Sequence, residues 1–341
     1  MKRMLETLYI LMPESYLFLR NDNIVVVLGG EEKASVPAVQ VSSIVFFEKN
    51  TMSTALLGFC GKHDITVSFL DQWGNFCGRL CGPVSGNVLL RRRQILTTED
   101  EAFRVRFVRD LLLCKLRNCR YVLSRHSRGA DDPDTEAKLK SAEEHLAEIA
   151  EKMTECSDSD ALRGLEGAAG SVYFGAFDGM LNSPAGFRFV ERSRRPPRNE
   201  VNAVLSFLYT QLAHDEVSAL ETVGLDPAAG YLHTLRPGRA SFALDLMEEL
   251  RAPLCDRLAL TMFNRGQLSE KDFENETTAV YLNDKGRRTV LGAWRDRKKE
   301  ELRHPFLDEK IPIGMIPHTQ AMLFARVLRG DLDRYPPFVW R

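Results

Sequence analysis

The sequence predicts an α+β protein in two parts, with a small N-terminal β-sandwich-like domain followed by a larger all-α C-terminal domain. Runs of β-branched and aromatic residues recur through roughly the first eighty residues. A stretch with Gly, Pro and Ser interrupts this pattern at residues 82–86, and apolar residues then recur at helical spacing almost to the end. The predicted domains are therefore residues 1–86 and 87–341.

Short strands separated by turn-forming Asn, Asp and Gly residues are predicted in the N-terminal domain. They are residues 7–11, 16–19, 24–28, 44–47, 65–70 and 76–80. One helix is predicted among them at residues 54–62, because Ser53 is a suitable N-cap.

Helices are predicted through the C-terminal domain from the spacing of apolar residues. They are residues 89–97, 101–124, 135–156, 161–180, 200–214, 241–251, 253–265, 282–303 and 319–328. Helix 135–156 is rich in charge and is expected to be exposed. In helix 241–251, Ser241 is the predicted N-cap and Pro253 the predicted stop.

The composition is that of an ordinary globular protein. Of 341 residues, 44% are hydrophobic and 27% charged, and the net charge is −1, so any nucleic-acid binding must come from local basic patches. No stretch approaches the roughly 20 apolar residues of a membrane helix. The seven cysteines are irregularly spaced and complete no zinc motif. We expect a cytoplasmic protein without membrane contact.

Glu166 lies in an unusual setting of small and apolar residues. Gly164, Gly167 and Gly170 recur there at every third position. Glycine costs about 1 kcal/mol relative to alanine inside a helix, so the run suggests that another element or a ligand approaches closely. A carboxylate in this setting needs a cation or a hydrogen-bond partner. A helix-packing face with Glu166 turned to water is an equally good interpretation.

A second candidate segment surrounds His233. The helix that follows it carries Asp245 and Glu248 three residues apart, opposite an apolar stripe. Two carboxylates and one imidazole suit a Mg²⁺ or Mn²⁺ site for phosphodiester chemistry. The alternative interpretation is a solvent-exposed acidic face of the helix and a histidine with a structural role. The spacing alone does not decide between this interpretation and a metal site.

Several motifs follow one another in a fixed order. They are LEGAA at 165–169 with YF at 173–174, LHxxRxGRxS at 232–241 and LDLME at 244–248, together with residues 197–202 and 205–209, IPIG at 311–314 and the ending 335–341. In this order they resemble the CRISPR-associated integrase family, the core enzymes of spacer acquisition. The resemblance covers essentially the whole chain, and the last two motifs resemble members from type I systems.

The resemblance implies roles for individual residues. Glu166, His233 and Glu248 match the family's three ligands for Mg²⁺ or Mn²⁺, and Asp245 matches an acidic position near the metal. These four are the expected catalytic residues. Some members carry Asp in place of Glu248, and the longer carboxylate can still reach a cation. Glu249 is the main alternative ligand, but it is expected to turn toward the apolar edge of its helix.

The resemblance also implies an activity and its partners. Family members are metal-dependent DNA endonucleases and integrases of antiviral defence, which join the 3′-hydroxyl ends of captured double-stranded DNA fragments to CRISPR repeat DNA by transesterification. They are homodimers that assemble with a small adaptation subunit, and some type I relatives work with an accessory iron–sulfur nuclease. Two other hypotheses remain open. One is a non-catalytic DNA-binding scaffold for a partner nuclease, and the other is a helical metal phosphohydrolase acting on nucleotides.

Arginine-rich clusters are the predicted contacts with DNA, since arginine suits bidentate binding of phosphate. Residues 91–128 contain eleven Lys or Arg against four Asp or Glu, and a second cluster lies at residues 192–198. A third cluster, at residues 287–299, is mixed with acids and is expected to be a solvated face. The individual residues expected to contact DNA are Arg194, Arg195, Arg236, Arg239 and Tyr173. Tyr173 could stack on a base, although core packing is the more frequent role of such a residue.

Overall fold

The computed structural model describes residues 6–63, 65–71, 76–80 and 88–340. The chain divides into two compact units, residues 1–86 and residues 87–341. The predicted fold class is confirmed, since β-sheets occupy the first unit and helices dominate the second.

Two four-stranded sheets form the N-terminal unit. The strands are β1 (Glu6–Ile10), β2 (Tyr16–Arg20), β3 (Asn23–Leu28), β4 (Glu31–Pro37), β5 (Val41–Phe47), β6 (Thr51–Met52), β7 (Thr66–Leu70) and β8 (Phe76–Leu80). One sheet has the order β1-β5-β7-β8, in which β1, β5 and β7 are parallel and β8 is antiparallel to β7. The other has the order β4-β3-β2-β6, with β2, β3 and β4 antiparallel.

The N-terminal core is built from the inward faces of these strands. Leu17, Ile24, Ile44 and Phe46 are fully buried in one hydrophobic cluster. Helix α1 (Thr54–Lys62) is as predicted, and the Ser53 side chain accepts a hydrogen bond from its first turn. Within the N-terminal unit, strands β4 and β6 were not predicted because they lack an apolar pattern. Strand β4 is mostly exposed and β6 has two residues.

The helices of the C-terminal unit pack around one long central helix. They are α2 (Val88–Glu99), α3 (Glu101–Ser127), α4 (Pro133–Glu155), α5 (Ser159–Gly175), α6 (Glu200–Val223), α7 (Ser241–Leu246), α8 (Glu248–Leu250), α9 (Arg257–Asn264), α10 (Asp284–Lys299) and α11 (Ile316–Arg329). The central helix is α3, which contacts α2, α4, α5 and α8. The helices in the described part of the chain are all too short or too polar to cross a membrane.

The charge of helix α4 predicted an exposed helix, but only one of its faces is exposed. Leu139, Leu146 and Met153 are fully buried or nearly so. They share one face, which packs on α3 and α5, while the acidic residues cover the other face. Helix α6 also continues past its predicted end to Val223, where Gly224 takes a left-handed conformation with φ of 88°.

The chain around Pro253 stays helical, contrary to the predicted stop. Helices α7 and α8 are followed by a π-helical turn, Arg251–Asp256, and then directly by α9. Pro253 lies inside this turn, whose altered hydrogen-bond register accommodates a residue without an N–H group. The predicted cap is also wrong, because the N-cap is Ala240 and the Ser241 hydroxyl donates to the carbonyl of Thr234 at 3.1 Å.

Two short hairpins interrupt the helical unit. Strand β9 (Phe273–Asn275) pairs with β10 (Val280–Leu282), and β11 (Glu301–Arg303) pairs with β12 (Lys310–Pro312). Each strand has three residues, too few to show a periodicity in the sequence, and β10 and β11 account for the ends of the predicted helix 282–303.

Candidate functional site

The candidate site is assembled from α3, α5, α8 and the loop before α7. Glu166 lies in α5, Glu248 begins α8, and Lys115 projects from α3. The Lys115 ammonium contacts the carboxylate of Glu166 and lies 2.8 Å from Oε2 of Glu248. Two of the three predicted ligands, Glu166 and Glu248, are therefore both in contact with the positively charged Lys115.

Glu248 is buried, with a side chain 2% exposed. Burial would raise the pKa of its carboxyl group, but Arg251, Lys115 and His233 together lower that pKa to about 2. Nη1 of Arg251 is 2.8 Å from Oε1 of Glu248, and Nε2 of His233 is 3.9 Å from the same oxygen. Glu248 is thus ionised in the interior and faces the other two predicted ligands.

Asp245 fixes the position of His233. Its buried carboxylate accepts hydrogen bonds from the backbone N–H groups of residues 231, 232 and 233, and its Oδ1 is 2.7 Å from Nδ1 of His233. The imidazole therefore presents Nε2 toward Glu248. Asp245, expected as a fourth catalytic member, thus lies next to His233 and is hydrogen-bonded to it.

The loop that carries His233 packs closely on α7. A Cβ atom at Gly230 would lie 2.7 Å from the backbone carbon of Ser241 and 2.9 Å from Oδ2 of Asp245. Only glycine allows this approach. By contrast, a Cβ atom at Gly164, Gly167 or Gly170 would meet no described neighbour within 4 Å, so the close packing expected at those glycines is not seen.

A second buried carboxylate lies beside the site. Asp256 accepts hydrogen bonds from the hydroxyls of Tyr173, at 3.0 Å, and Tyr209, at 2.6 Å. Burial raises the pKa of Asp256 to about 6. The guanidinium groups of Arg192 and Arg251 lie 5.3 and 5.0 Å from the centre of the Tyr209 ring. This network ties the π-helical turn to α5 and α6.

Tyr173 does not lie where it could stack on a base. Its side chain is 3% exposed and packs against Phe174 and Phe177, while its hydroxyl is bound to Asp256. Tyr173 is therefore a core residue, which was the alternative interpretation from the sequence, and its buried ring does not make the expected contact with DNA.

Glu249 faces away from the candidate ligands. Its fully buried carboxylate accepts hydrogen bonds from Gln320, Tyr335 and the backbone of Phe338. Glu248 therefore lies on the side of Lys115 and Glu166, whereas Glu249 lies on the side of residues 335–338.

Among the described residues, no three His, Cys, Asp or Glu side chains are arranged to hold a metal ion as they stand. The ammonium of Lys115 lies between two of the candidate ligands, Glu166 and Glu248. Oε2 of Glu248 is buried and accepts no well-directed hydrogen bond. The two carboxylates and the imidazole are suitable ligands for a divalent cation. The two carboxylates already bind one positive charge, the Lys115 ammonium, which must move away for the cation to bind.

Arg239 lies near the three other arginines that are expected to bind DNA. Arg194, Arg195 and Arg236 are exposed, and Arg239 is half-buried. Burial lowers the pKa of Arg239, and the charges of Arg236, Arg194 and Arg195 lower it further, whereas Asp245 raises it. Arg239 is therefore near enough to the three other arginines, and to Asp245, for their charges to act on it. The four arginines are called the arginine surface.

Other members of the predicted basic clusters are bound within the protein. Arg192 donates to Asn202 and Ser206. In the first cluster, Lys115 belongs to the candidate site. Several of its arginines contact acidic side chains or backbone carbonyls, namely Arg91, Arg104, Arg109 and Arg120. In the third cluster, Arg287, Arg297 and Lys298 pair with acids, which fits a face that does not bind DNA.

Sequence reasoning missed Lys115, Arg251 and Asp256 as parts of the site. Lys115 carried a usable signal, because it lies between Cys114 and Leu116 within the apolar stripe of α3, where a lysine needs a buried partner. Its partners are far away in the chain, so the sequence could not name them.

The fold and this residue set define a class of two-part proteins with an acidic and imidazole centre in the helical part. The family model for CRISPR associated protein Cas1 matches residues 8–296. A CRISPR-associated endonuclease Cas1 from Rhodospirillum rubrum is 50% identical over 347 residues, and one from Chlorobaculum tepidum is 43% identical over 344 residues, each covering 100% of both chains. The chain therefore belongs to the Cas1 family.

A longer relative and three solved structures extend the comparison. A Cas4 exonuclease/Cas1 endonuclease fusion from Rhodospirillum rubrum is 33% identical over 331 residues, covering 96% of this chain and 56% of the fusion. A CAS1 protein from Thermotoga maritima has a TM-score of 0.82 at 23% identity and covers 96% of this chain and 97% of its own. A casposase bound to integration product has a TM-score of 0.83 at 18% identity, with 99% and 96% covered. A Cas6-RT-Cas1–Cas2 complex has a chain with a TM-score of 0.82 at 22% identity, with 99% and 36% covered. These structures share the fold.

Proposed function

We propose that this protein is a divalent-metal-dependent DNA endonuclease and integrase of CRISPR adaptation, which joins the 3′-hydroxyl ends of captured DNA fragments to a CRISPR repeat by transesterification. The observation that carries the proposal is the arrangement of Glu166 and Glu248 around one positive charge, with His233 beside them. Membership of a family whose relatives are named CRISPR-associated endonucleases supports it.

Glu166, His233 and Glu248 are the proposed ligands of Mg²⁺ or Mn²⁺. The bound ion would lower the pKa of the attacking hydroxyl and offset negative charge on the phosphate. Arg251 helps to keep Glu248 ionised, and Asp245 keeps Nε2 of the His233 ring turned toward Glu248. Lys115 contacts both carboxylates and holds them close together.

The arginine surface is proposed to hold the DNA backbone. Contacts with phosphates position a duplex without selecting its sequence, as a protein that joins varied fragments requires. The reaction needs no high-energy cofactor, because one phosphodiester bond forms as another breaks. The leaving 3′-oxygen of the repeat takes up a proton.

The proposed partners follow from the family and its relatives. We propose a cytoplasmic homodimer that assembles with a small adaptation subunit, with residues 1–86 making dimer or partner contacts. The solved complex that contains both Cas1 and Cas2 supports such a subunit. The fusion of a Cas4 exonuclease to a Cas1 endonuclease supports a link to an accessory nuclease.

Strand transfer tests the proposal. A fluorescent duplex with free 3′-hydroxyl ends is incubated with a plasmid that contains the CRISPR repeat, with Mn²⁺ or Mg²⁺. Glu166→Gln and His233→Ala should abolish joining and retain DNA binding. The matched controls are Glu148→Gln and His145→Ala, which change exposed residues of α4 and should leave joining intact. A duplex with 3′-dideoxy ends should bind without being joined.

Other outcomes would contradict the proposal. Unchanged joining by both site variants, with DNA binding retained, would remove Glu166 and His233 from catalysis. DNA binding by the wild type without any joining or cutting would favour the scaffold hypothesis. Turnover of free nucleotides with no effect on DNA would favour a phosphohydrolase.

A further inference from the structure

The carboxylate next to Glu248 is bound to the C-terminal end of the chain. Oε1 of Glu249 accepts hydrogen bonds from Gln320, at 2.9 Å, and from the Tyr335 hydroxyl, at 2.7 Å. Oε2 accepts one from the backbone N–H of Phe338, at 2.6 Å. Successive residues of a helix point about 100° apart. Helix α8 therefore turns Glu248 toward the candidate ligands and Glu249 toward the chain end.

Helix α3 binds the same chain end along one face. Asp110 pairs with Arg334, Cys114 lies 3.1 Å from the carbonyl oxygen of Phe338, and Asn118 donates to that oxygen at 2.9 Å. These three residues of α3 are four positions apart, so they lie above one another on the helix. Residues 334–340 are thereby fastened to the helix that also carries Lys115.

Asn118 joins the chain end directly to α8. Its Nδ2 donates to the backbone carbonyl of Glu249 at 2.7 Å, and its Oδ1 accepts from the backbone N–H of Trp340 at 2.8 Å. This buried amide thus bridges the segment and the backbone next to Glu248. The Trp340 ring also lies 5.1 Å from the guanidinium of Arg257, the first residue of α9. The chain end contacts both sides of the π-helical turn.

Residues 334–340 have no helix or strand of their own, yet they are well packed. Tyr335 is 3% exposed and Phe338 is 1% exposed. A helix of one turn and a π-helical turn have little intrinsic stability, because each fixes backbone angles for few hydrogen bonds. External contacts must therefore hold α8 in place.

We infer that residues 334–340 form a strap that positions Glu248 for the reaction, acting through Glu249 and Asn118. The inference rests on the proposed function, since Glu248 is a proposed ligand. Among the described residues, the strap's contacts include Glu249 and Asn118 but none of the candidate ligands, so Tyr335, Glu249 and Asn118 are positioning residues. A displacement of about 1 Å at a catalytic group can reduce a rate about 100-fold.

Tyr335→Phe in the full chain is the first test. It keeps the buried ring and removes the hydroxyl that donates to Glu249. We expect the Mn²⁺ concentration for half-maximal strand transfer to rise about tenfold, the effect typical of losing a group that orients a ligand. DNA affinity should stay within about twofold. The control is Tyr16→Phe, which removes the hydroxyl of an exposed ring in the N-terminal unit.

Hydrogen–deuterium exchange gives a readout that does not depend on activity. Backbone amides of residues 245–256 should exchange faster in Tyr335→Phe than in Tyr16→Phe, while those of residues 139–153 in α4 should not change. If amides 245–256 exchange faster in Tyr335→Phe but the wild-type protein joins no DNA, the strap is supported and the proposed function is rejected. Unchanged exchange at 245–256 together with an unchanged Mn²⁺ requirement would overturn the strap.

Discussion

Lys115 is the residue around which the two carboxylates of the site are arranged. Its side chain is 12% exposed, and burial alone would lower the pKa of its ammonium. The charges of Glu248 and Glu166 outweigh burial and raise that pKa, so the lysine stays charged. The same attraction should oppose the binding of a second cation between the two carboxylates.

Lys115→Met should therefore have opposite effects with and without metal. In EDTA, Glu166 and Glu248 lose their shared partner, and the free energy of unfolding should fall by about 3 kcal/mol. Added Mn²⁺ should raise the melting temperature more than in the wild type, because no ammonium has to be displaced. Urea and thermal unfolding measure both effects. Lys140→Met, at an exposed lysine of α4, is the control. Equal stability of Lys115→Met and wild type in EDTA would show that the lysine does not hold the carboxylates.

Gly230 shows how a single residue determines the position of the His233 loop. Gly230→Ala should lower the free energy of unfolding by about 2 kcal/mol, because the added carbon overlaps the backbone of Ser241. Strand transfer should fall as well, since the loop that carries His233 must move. The control is Gly167→Ala in α5, where nothing described lies within 4 Å and stability should rise by about 1 kcal/mol. Urea denaturation distinguishes the two, and equal behaviour of the variants would contradict the packing described here.

At the scale of the element, the sequence predicts helices well and their irregularities poorly. The cap at Ser53 and the apolar spacing of α3 and α5 are local signals, and those helices are present. The π-helical turn at Pro253 and the direction of Glu249 depend on contacts with residues far along the chain. No local pattern could have shown them.

Helix α6 carries a buried acid with a measurable consequence. Glu216 is fully buried, and neither carboxylate oxygen has a hydrogen-bond partner among the described residues. Burial raises its pKa well above the ordinary value of 4.5, and the nearby charges of Glu249 and Asp215 raise it further. The folded protein therefore binds a proton that the unfolded chain releases above about pH 4.5.

Stability should consequently fall as the pH rises above the ordinary glutamate pKa. Glu216→Gln removes this proton uptake and should make the free energy of unfolding less dependent on pH between about 5 and 8. Urea denaturation at several pH values measures the slope. Glu144→Gln, at an exposed position of α4, should keep the wild-type slope. A wild-type slope in Glu216→Gln would mean that the buried carboxyl is ionised.

Across the whole molecule, the order of motifs was more informative than any one of them. Glu166, His233 and Glu248 were each ambiguous by local spacing, and the resemblance to a family selected them together. The structure places Glu166 and Glu248 against Lys115 and His233 beside Glu248, while Asp245 is hydrogen-bonded to His233 and the ring of Tyr173 is buried. Clusters of arginine predicted contacts with DNA less well. A run of arginines in the sequence does not show which side chains are hydrogen-bonded within the protein, as Arg192 is.

The arginine surface gives a prediction for DNA binding by the whole molecule. Replacing Arg194 and Arg195 together with alanine should weaken binding of unrelated duplexes to a similar extent. It should also reduce the slope of log Kd against log salt by about 2, one for each phosphate that the variant no longer binds. Alanine at exposed Arg288 and Arg295 of α10 is the matched control and should leave the slope unchanged. An unchanged slope in the first variant would place the DNA elsewhere.

The proposed reaction depends most directly on a divalent cation bound by Glu166, His233 and Glu248. Anomalous X-ray scattering from crystals of the protein grown with Mn²⁺ tests this directly. We predict a manganese peak within coordination distance of the two carboxylates and Nε2 of His233, with the Lys115 ammonium moved away from them. A manganese peak bound by other residues, or no peak while Lys115 still lies between Glu166 and Glu248, would contradict the account.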